Sequence, residues 1–169
     1  MRGGSAPNTV ARRSSAFILA CLLGLAAPAA GARAPALPVF SLTAPDGREV
    51  ASTALWSQGR WLIVYVAPDC PPCERLLRAL AAWHLPLAGR AAVIVRGPAD
   101  EARRLVGAAF PEEAGVAWYA DPGGAAAAAL RLDWNLAVAG VEAGEIHWLL
   151  TGVLNDPAAV ERAVRRWIE

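Results

Sequence analysis

The most constraining feature of this sequence is a pair of cysteines, Cys70 and Cys73, that stand between an apolar run and a helical pattern. The run, residues 61–66, is continuous and rich in β-branched and aromatic residues, which predicts a strand buried on both faces. Pro71 and Pro72 separate the cysteines, and proline is tolerated in the first turn of a helix. Apolar residues then recur at helical spacing. Both cysteines are therefore predicted to lie at a strand-to-helix junction.

The rest of the chain alternates strands and helices, which is typical of an α/β domain with parallel strands. Asp100 is predicted to cap one of these helices, and Asp156 followed by a proline is predicted to start the last one. The predicted elements are an N-terminal hairpin (38–42 and 48–50), strands 61–66, 91–95 and 116–120, helices beginning near 71, 100, 125 and 157, and a late hairpin (136–141 and 146–150). We therefore predict a central mixed sheet flanked by helices.

Composition limits the size and the chemistry of this domain. The chain has 169 residues and is 56% hydrophobic, which is enough for one core that folds without covalent crosslinks. All 16 basic residues are arginine. The absence of lysine excludes Schiff-base enzymes and any lysine-assisted activation of a thiol.

The N-terminal segment has the pattern of an export signal. Three arginines precede an apolar run over 16–30, and small residues at 30–32 offer a cleavage site. We predict a signal peptide over 1–32, a linker over 33–37 and a single folded domain over 38–169. The location expected from this signal is the periplasm.

Other interpretations of this segment remain open. An uncleaved membrane anchor is one, although the run is shorter than the roughly 20 residues that span a bilayer. Lipidation at Cys21 and a twin-arginine signal at Arg12 and Arg13 are less favoured. Cleavage would leave 13 arginines against 15 acidic residues, a net charge of −2, so no nucleic-acid partner is expected. Membrane contact is expected only if the segment is uncleaved.

The spacing of Cys70 and Cys73 favours thiol–disulfide exchange. That chemistry needs an exposed thiolate and a second thiol that can resolve the mixed disulfide. A three-residue offset puts both side chains on one face of a helical turn, and the helix N-terminus favours ionisation of Cys70. The partner implied is a protein that carries a thiol or a disulfide.

Two structural interpretations compete with this one. A plain crosslink over four residues would contribute only about 2 kcal/mol, against about 3 kcal/mol for a fifteen-residue loop. A structural zinc site needs four ligands, and only His84 and His147 remain to join the cysteines. Neither accounts for the close spacing as well as exchange chemistry does.

Several segments together resemble the TlpA/ResA-like branch of the thioredoxin superfamily. They are residues 38–42, 46–50, 61–66, Cys70-Pro71-Pro72-Cys73 and the hairpin turn 142–145. The resemblance implies a thioredoxin-like fold over about 36–168, with Cys70 as the attacking cysteine and Cys73 as the resolving one. It also implies a periplasm-facing oxidoreductase, commonly a reductase serving cytochrome c maturation. No cofactor and no metal are expected.

The residues around the cysteines depart from that family. An aromatic residue usually precedes the first cysteine, whereas Asp69 stands here. Its carboxylate should raise the pKa of the Cys70 thiol, and Glu74 should add to the effect. Pro71 and Pro72 remove two backbone N–H donors from the first turn. We predict that these four residues tune the thiol.

A second departure lies where the family places a cis-proline that docks substrate. This chain has Trp134, Asn135 and Leu136 there, with no proline. A trans peptide bond is expected, because the cis form costs about 2.5 to 4 kcal/mol without proline. We predict that these three residues form the substrate-docking surface, with Trp134 covering the dithiol or contacting a partner.

Two alternatives to an exchange enzyme remain. His147 could join Cys70 and Cys73 as a copper ligand, as thiolates plus imidazole suit copper, and Sco-like copper chaperones share this fold. A binding module of this fold could also hold a protein partner without turnover. The second alternative is a structural domain with a vestigial disulfide.

Overall fold

The computed structural model describes residues 34–152 and 156–169. The signal-peptide prediction for residues 1–32 lies outside them. The strands are β1 (Ser41–Thr43), β2 (Glu49–Ala51), β3 (Arg60–Val66), β4 (Ala91–Arg96), β5 (Ala117–Asp121), β6 (Leu136–Glu142) and β7 (Glu145–Thr151). The helices are α1 (Ser52–Trp56), α2 (Pro71–Ala82), α3 (Ala99–Ala109), α4 (Ala125–Ala129) and α5 (Pro157–Ile168), with a short 3-10 turn over Glu112–Ala114.

All of these strands belong to one mixed sheet in the order β2-β1-β5-β4-β3-β6-β7. The β3, β4 and β5 strands are parallel, and β6 runs antiparallel to β3 with Val64 opposite Val138. The N-terminal hairpin of β1 and β2 extends the sheet beyond β5. The prediction of a mixed sheet with an N-terminal hairpin is confirmed.

The central strand β3 is buried on both faces, which explains its continuous apolar run. Leu62, Val64 and Val66 face a core formed with α2, α3 and α5. Ile63 and Tyr65 face a second core that includes residues of α1 and α4. Helices therefore cover both faces of the sheet, and α2 carries the cysteines into the first core.

The helix starts were predicted with mixed success. Asp156 caps α5, where its carboxylate accepts a hydrogen bond from the Ala159 N–H at 2.9 Å. The prediction of Asp100 as a cap was wrong, because the N-cap is Pro98, two residues earlier, and α3 begins at Ala99. Asp100 instead lies in the first turn, where the helix dipole stabilises a negative charge.

The segment predicted to be a linker makes ordered contacts from residue 35 onward. The Leu37 N–H donates to the Gly144 carbonyl at 2.7 Å, and the Ile146 N–H donates to the Pro35 carbonyl at 2.8 Å. Ala36 forms an antiparallel bridge with Glu145, and the Leu37 side chain is buried. These residues extend the sheet beside the start of β7. None of the helices in the described ranges is long and apolar enough to cross a membrane.

Candidate active site

The cysteines lie where β3 ends and α2 begins. Asp69 adopts a left-handed conformation, with φ of 54°, in the turn that joins the two elements. Cys70 is the N-cap of α2, and Pro71 and Pro72 occupy the first helical positions. Proline fits these positions because their N–H groups would have no partner within the helix. The sequence thus directs the two sulfurs to the N-terminal end of α2.

Cys70 and Cys73 form a disulfide, with their Cα atoms 5.2 Å apart. The exposed fraction is 8% for Cys70 and 0% for Cys73. Cys73 packs among the apolar side chains of the first core. Cys70 also belongs to this core but is the more exposed of the two cysteines.

The helix start offers the Cys70 sulfur few hydrogen bonds. Within the described residues a single N–H, that of Cys73, points at Cys70 Sγ, at 3.3 Å. The same N–H also contacts the Cys70 carbonyl at 2.8 Å, so it is shared. Pro71 and Pro72 have no N–H to contribute. Stabilisation of a Cys70 thiolate by the backbone is accordingly limited.

The start of β6 lies directly against the buried sulfur. The Asn135 carbonyl accepts a hydrogen bond from the Ala67 N–H at 2.9 Å and lies 3.2 Å from Cys73 Sγ. Leu136 is buried and pairs with Val66 of β3. Every peptide bond in the ranges that the structure describes is trans. The Asn135 carbonyl is thus directed into the protein.

A groove of about 230 Å³ opens beside the disulfide. Seven of the nine predicted site residues line it, all except Cys73 and Glu74, together with one residue that was not predicted. Its lining is Asp69, Cys70, Pro71, Pro72, Trp134, Asn135, Leu136 and Gly152. Trp134 is 58% exposed, which is unusual for so large an apolar side chain.

Gly152 is the residue of this groove that sequence reasoning missed. Its φ is 88°, and a Cβ atom there would lie 3.7 Å from the Trp134 ring. Its N–H donates to the Leu136 carbonyl at 2.9 Å. A glycine directly after the apolar run of β7 was the available signal. Glycine suits this position because its φ lies in a region that other residues rarely adopt.

The two acidic residues near the disulfide differ in their surroundings. Glu74 lies 3.8 Å from Arg78 one helical turn away. Asp69 is exposed and makes no ion pair or side-chain hydrogen bond within the described part of the chain. Its charge is therefore not offset by a neighbour, whereas that of Glu74 is.

The histidines lie away from the disulfide. His147 sits on a bulge of β7 opposite Gly140 and Val141, whereas Leu136 marks the disulfide end of β6. The distance along β6 from Leu136 to Val141 is about 17 Å at the usual rise per residue. His147 instead packs against Trp167, with ring centroids 5.3 Å apart and the ring planes tilted by 44°.

This placement prevents His147 from sharing a metal with the cysteines. No cluster of three His, Cys, Asp or Glu side chains in the described ranges is arranged to hold a metal ion. His84, expected at the end of α2, follows the capping residue Trp83 and is exposed.

The sequence matches no family model and no curated protein. Solved structures do match. MTB dsbF, in mixed oxidized and reduced forms, has a TM-score of 0.61 at 20% identity over 80% of this chain and 99% of that one. A thioredoxin-like protein from Porphyromonas gingivalis has a TM-score of 0.59 at 22% identity, covering 80% of this chain and 94% of that one. The chain has a thioredoxin-like fold.

A third similar structure is a secreted Mycobacterium tuberculosis disulfide oxidoreductase homologous to E. coli DsbE. Its TM-score is 0.59 at 14% identity, over 74% of this chain and 93% of that one. Asp69 precedes the first cysteine, and the trans Asn135-Leu136 segment faces the second.

Proposed function

We propose that this protein is a thiol–disulfide oxidoreductase that exchanges the Cys70–Cys73 disulfide with a protein partner. The observation that carries the proposal is the asymmetry of the two sulfurs. Cys70 lies at the edge of an open groove, and Cys73 is buried directly beneath it. Exchange needs this arrangement of one accessible and one shielded sulfur.

In the reductive direction, the Cys70 thiolate attacks one sulfur of the partner's disulfide. A bond forms between Cys70 and that sulfur, and the partner's other sulfur leaves as a thiolate and takes a proton. Cys73 then loses its proton and attacks Cys70 Sγ. The mixed disulfide breaks, the Cys70–Cys73 disulfide forms, and two electrons have passed to the partner. Oxidation of a partner dithiol is the reverse sequence.

The surroundings of Cys70 favour the reducing direction. Strong oxidants of this kind stabilise their thiolate, and so their reduced form. Here Cys70 receives one shared N–H, and the uncompensated Asp69 carboxylate is its neighbour in sequence. We expect a potential nearer to about −270 mV than to about −120 mV.

The docking surface of this proposal consists of Trp134, Asn135 and Leu136. Trp134 offers an exposed ring, and the Asn135 side chain is also exposed. Leu136 supports them from the core. Because the Asn135 carbonyl is occupied by the Ala67 N–H, side chains rather than this carbonyl would hold the partner.

An extracytoplasmic location, the periplasm, belongs to the same proposal. Its supports are the signal-like residues 1–32, a disulfide of the kind that persists outside the cytosol, and similarity to a protein described as secreted. A role in cytochrome c maturation rests on the TlpA/ResA-like resemblance alone. The copper-binding alternative loses its third ligand, since His147 lies on β7 beside the end of β6 that is far from the disulfide.

A redox titration of the protein tests the proposal, with Cys21→Ser so that only two cysteines react. Samples equilibrated in dithiothreitol buffers of graded potential are alkylated and separated by mass. We expect one reversible two-electron transition near the reducing end. A disulfide that stays oxidised in excess dithiothreitol would instead indicate a structural crosslink in a binding module.

A further inference from the structure

A second groove, of about 280 Å³, lies between α2 and α3. We call it the interhelical groove. Asp69 lines both this groove and the one that holds Cys70. The two grooves therefore meet at the residue that precedes the reactive cysteine.

Half of the ten residues that line the interhelical groove are apolar. They include Leu77 of α2 and Leu105 and Ala109 of α3, with the exposed Ala108 beside them. Leu77 is fully buried, whereas Leu105 and Ala109 are only partly covered. Such a surface between two helices can receive an apolar side chain from a partner.

The charges around this groove are unevenly compensated. Glu74 lies 3.8 Å from Arg78, and Glu101 lies 3.8 Å from Arg104. Asp69 has no such neighbour in the ranges that the structure describes. The end of the groove beside Cys70 thus carries an excess negative charge.

We propose that the interhelical groove binds the polypeptide segment that flanks the reactive cysteine of the partner. This inference rests on the proposed exchange function and names its substrate class. When the partner's sulfur is bonded to Cys70, one side of its chain passes Asp69. A segment with arginine or lysine beside the cysteine is favoured there, and an apolar residue further along enters the groove.

Two synthetic peptides, each activated as a mixed disulfide with thionitrobenzoate, test the inference. The two peptides share one sequence, in which a leucine lies further along the chain from the cysteine. They differ only in the residue beside the cysteine, which is arginine in one and glutamate in the other. The reduced protein, carrying Cys21→Ser, releases the coloured thiolate from each. We expect the arginine peptide to react about tenfold faster at low salt, and the ratio to fall as salt screens the charges.

Two variants separate the effect of the Asp69 charge on the rates from the effect of the interhelical groove. Asp69→Asn should reduce the ratio of the two rates by about threefold. Ala108→Arg should slow both peptides severalfold by filling the interhelical groove. Asp100→Asn, in the exposed first turn of α3, and Ala128→Arg, exposed on α4, are matched controls that should change neither rate.

The outcomes distinguish this inference from the proposed function. Equal rates with both peptides, or an Ala108→Arg variant that behaves as its control, would overturn the inference and leave exchange intact. A dimer that Ala108→Arg dissociates would show that a second copy occupies the groove, which also overturns it. Failure to react with either peptide and with the neutral hydroxyethyl disulfide would instead reject exchange itself.

Discussion

A tryptophan lies against a glycine at each end of the β6–β7 hairpin. The two contacts differ in how much of the tryptophan side chain is exposed to solvent. At the end away from the disulfide, Trp148 and Trp167 stack edge to face over Gly140, with centroids 5.9 Å apart. At the disulfide end, Trp134 lies beside Gly152 with 58% of its surface exposed. One ring pair packs the domain, and the other ring remains open to solvent.

The polar partners of the rings explain this difference. Trp167 donates its indole N–H to the Trp61 carbonyl at 2.9 Å, and the Arg60 guanidinium lies 4.7 Å from its ring centroid. These contacts fix a half-buried tryptophan in one place. Trp134 instead lines the groove beside Cys70. Exposure, rather than residue type, distinguishes Trp134 from the packed pair.

The largest effect in this comparison is expected from Gly140→Ala. A Cβ atom at this position would clash with the rings of Trp148 and Trp167. Overpacking of this kind should lower the free energy of unfolding by about 3 kcal/mol. Urea denaturation measures the change. Gly107→Ala in α3 is the matched control, because a Cβ there meets nothing within 4 Å and should stabilise the helix slightly. An unchanged midpoint for Gly140→Ala would contradict the packing role.

A smaller effect is expected from Gly152→Ala. The new Cβ would be in ordinary contact with Trp134, so the cost comes from the backbone φ of 88°. A non-glycine residue in the left-handed region costs about 1 to 2 kcal/mol. Gly152→Asn should cost less, because asparagine tolerates that region better. Equal stability of both variants and the wild-type protein in urea would show that the turn is not constrained.

The smallest change in stability is expected from Trp134→Ala. So exposed a residue should alter the free energy of unfolding by no more than about 0.5 kcal/mol. Its rate of exchange with a protein disulfide should fall, while the rate with hydroxyethyl disulfide stays the same. Trp148→Ala should show the opposite pattern, with lower stability and unchanged exchange. Loss of stability in Trp134→Ala with normal protein exchange would reverse the assignment of the two ends.

Sequence patterns predicted most of the fold because its central strands are continuous apolar runs. The strands over 61–66 and 91–95 were placed within one residue of their observed ends. The helix α1 was missed, since five residues are too few to show a helical period. Yet its Trp56 is fully buried in the second core. Short elements of this kind are fixed by tertiary packing rather than by local pattern.

The parts of the site that are formed by residues close together in the sequence were predictable. The parts that depend on contacts between distant segments were not. The positions of Cys70 and Cys73 follow from the strand, the prolines and the helix. The Asn135 carbonyl turns toward Ala67 and Cys73 because β6 pairs with β3. No local sequence pattern specifies that pairing. The copper hypothesis for His147 failed for a related reason. The hairpin places His147 on β7, beside the end of β6 that is far from the disulfide.

The most direct test of the account is to trap partners with single-cysteine variants, which also carry Cys21→Ser, produced in a periplasm. Cys73→Ala should accumulate mixed disulfides through Cys70, because the resolving thiol is missing. Cys70→Ala should accumulate few, because Cys73 is fully buried. Both should fold, since the four-residue loop contributes only about 2 kcal/mol. Adducts on non-reducing gels in Cys73→Ala alone are the predicted result. Equal trapping by both variants, or trapping by neither, would contradict the account.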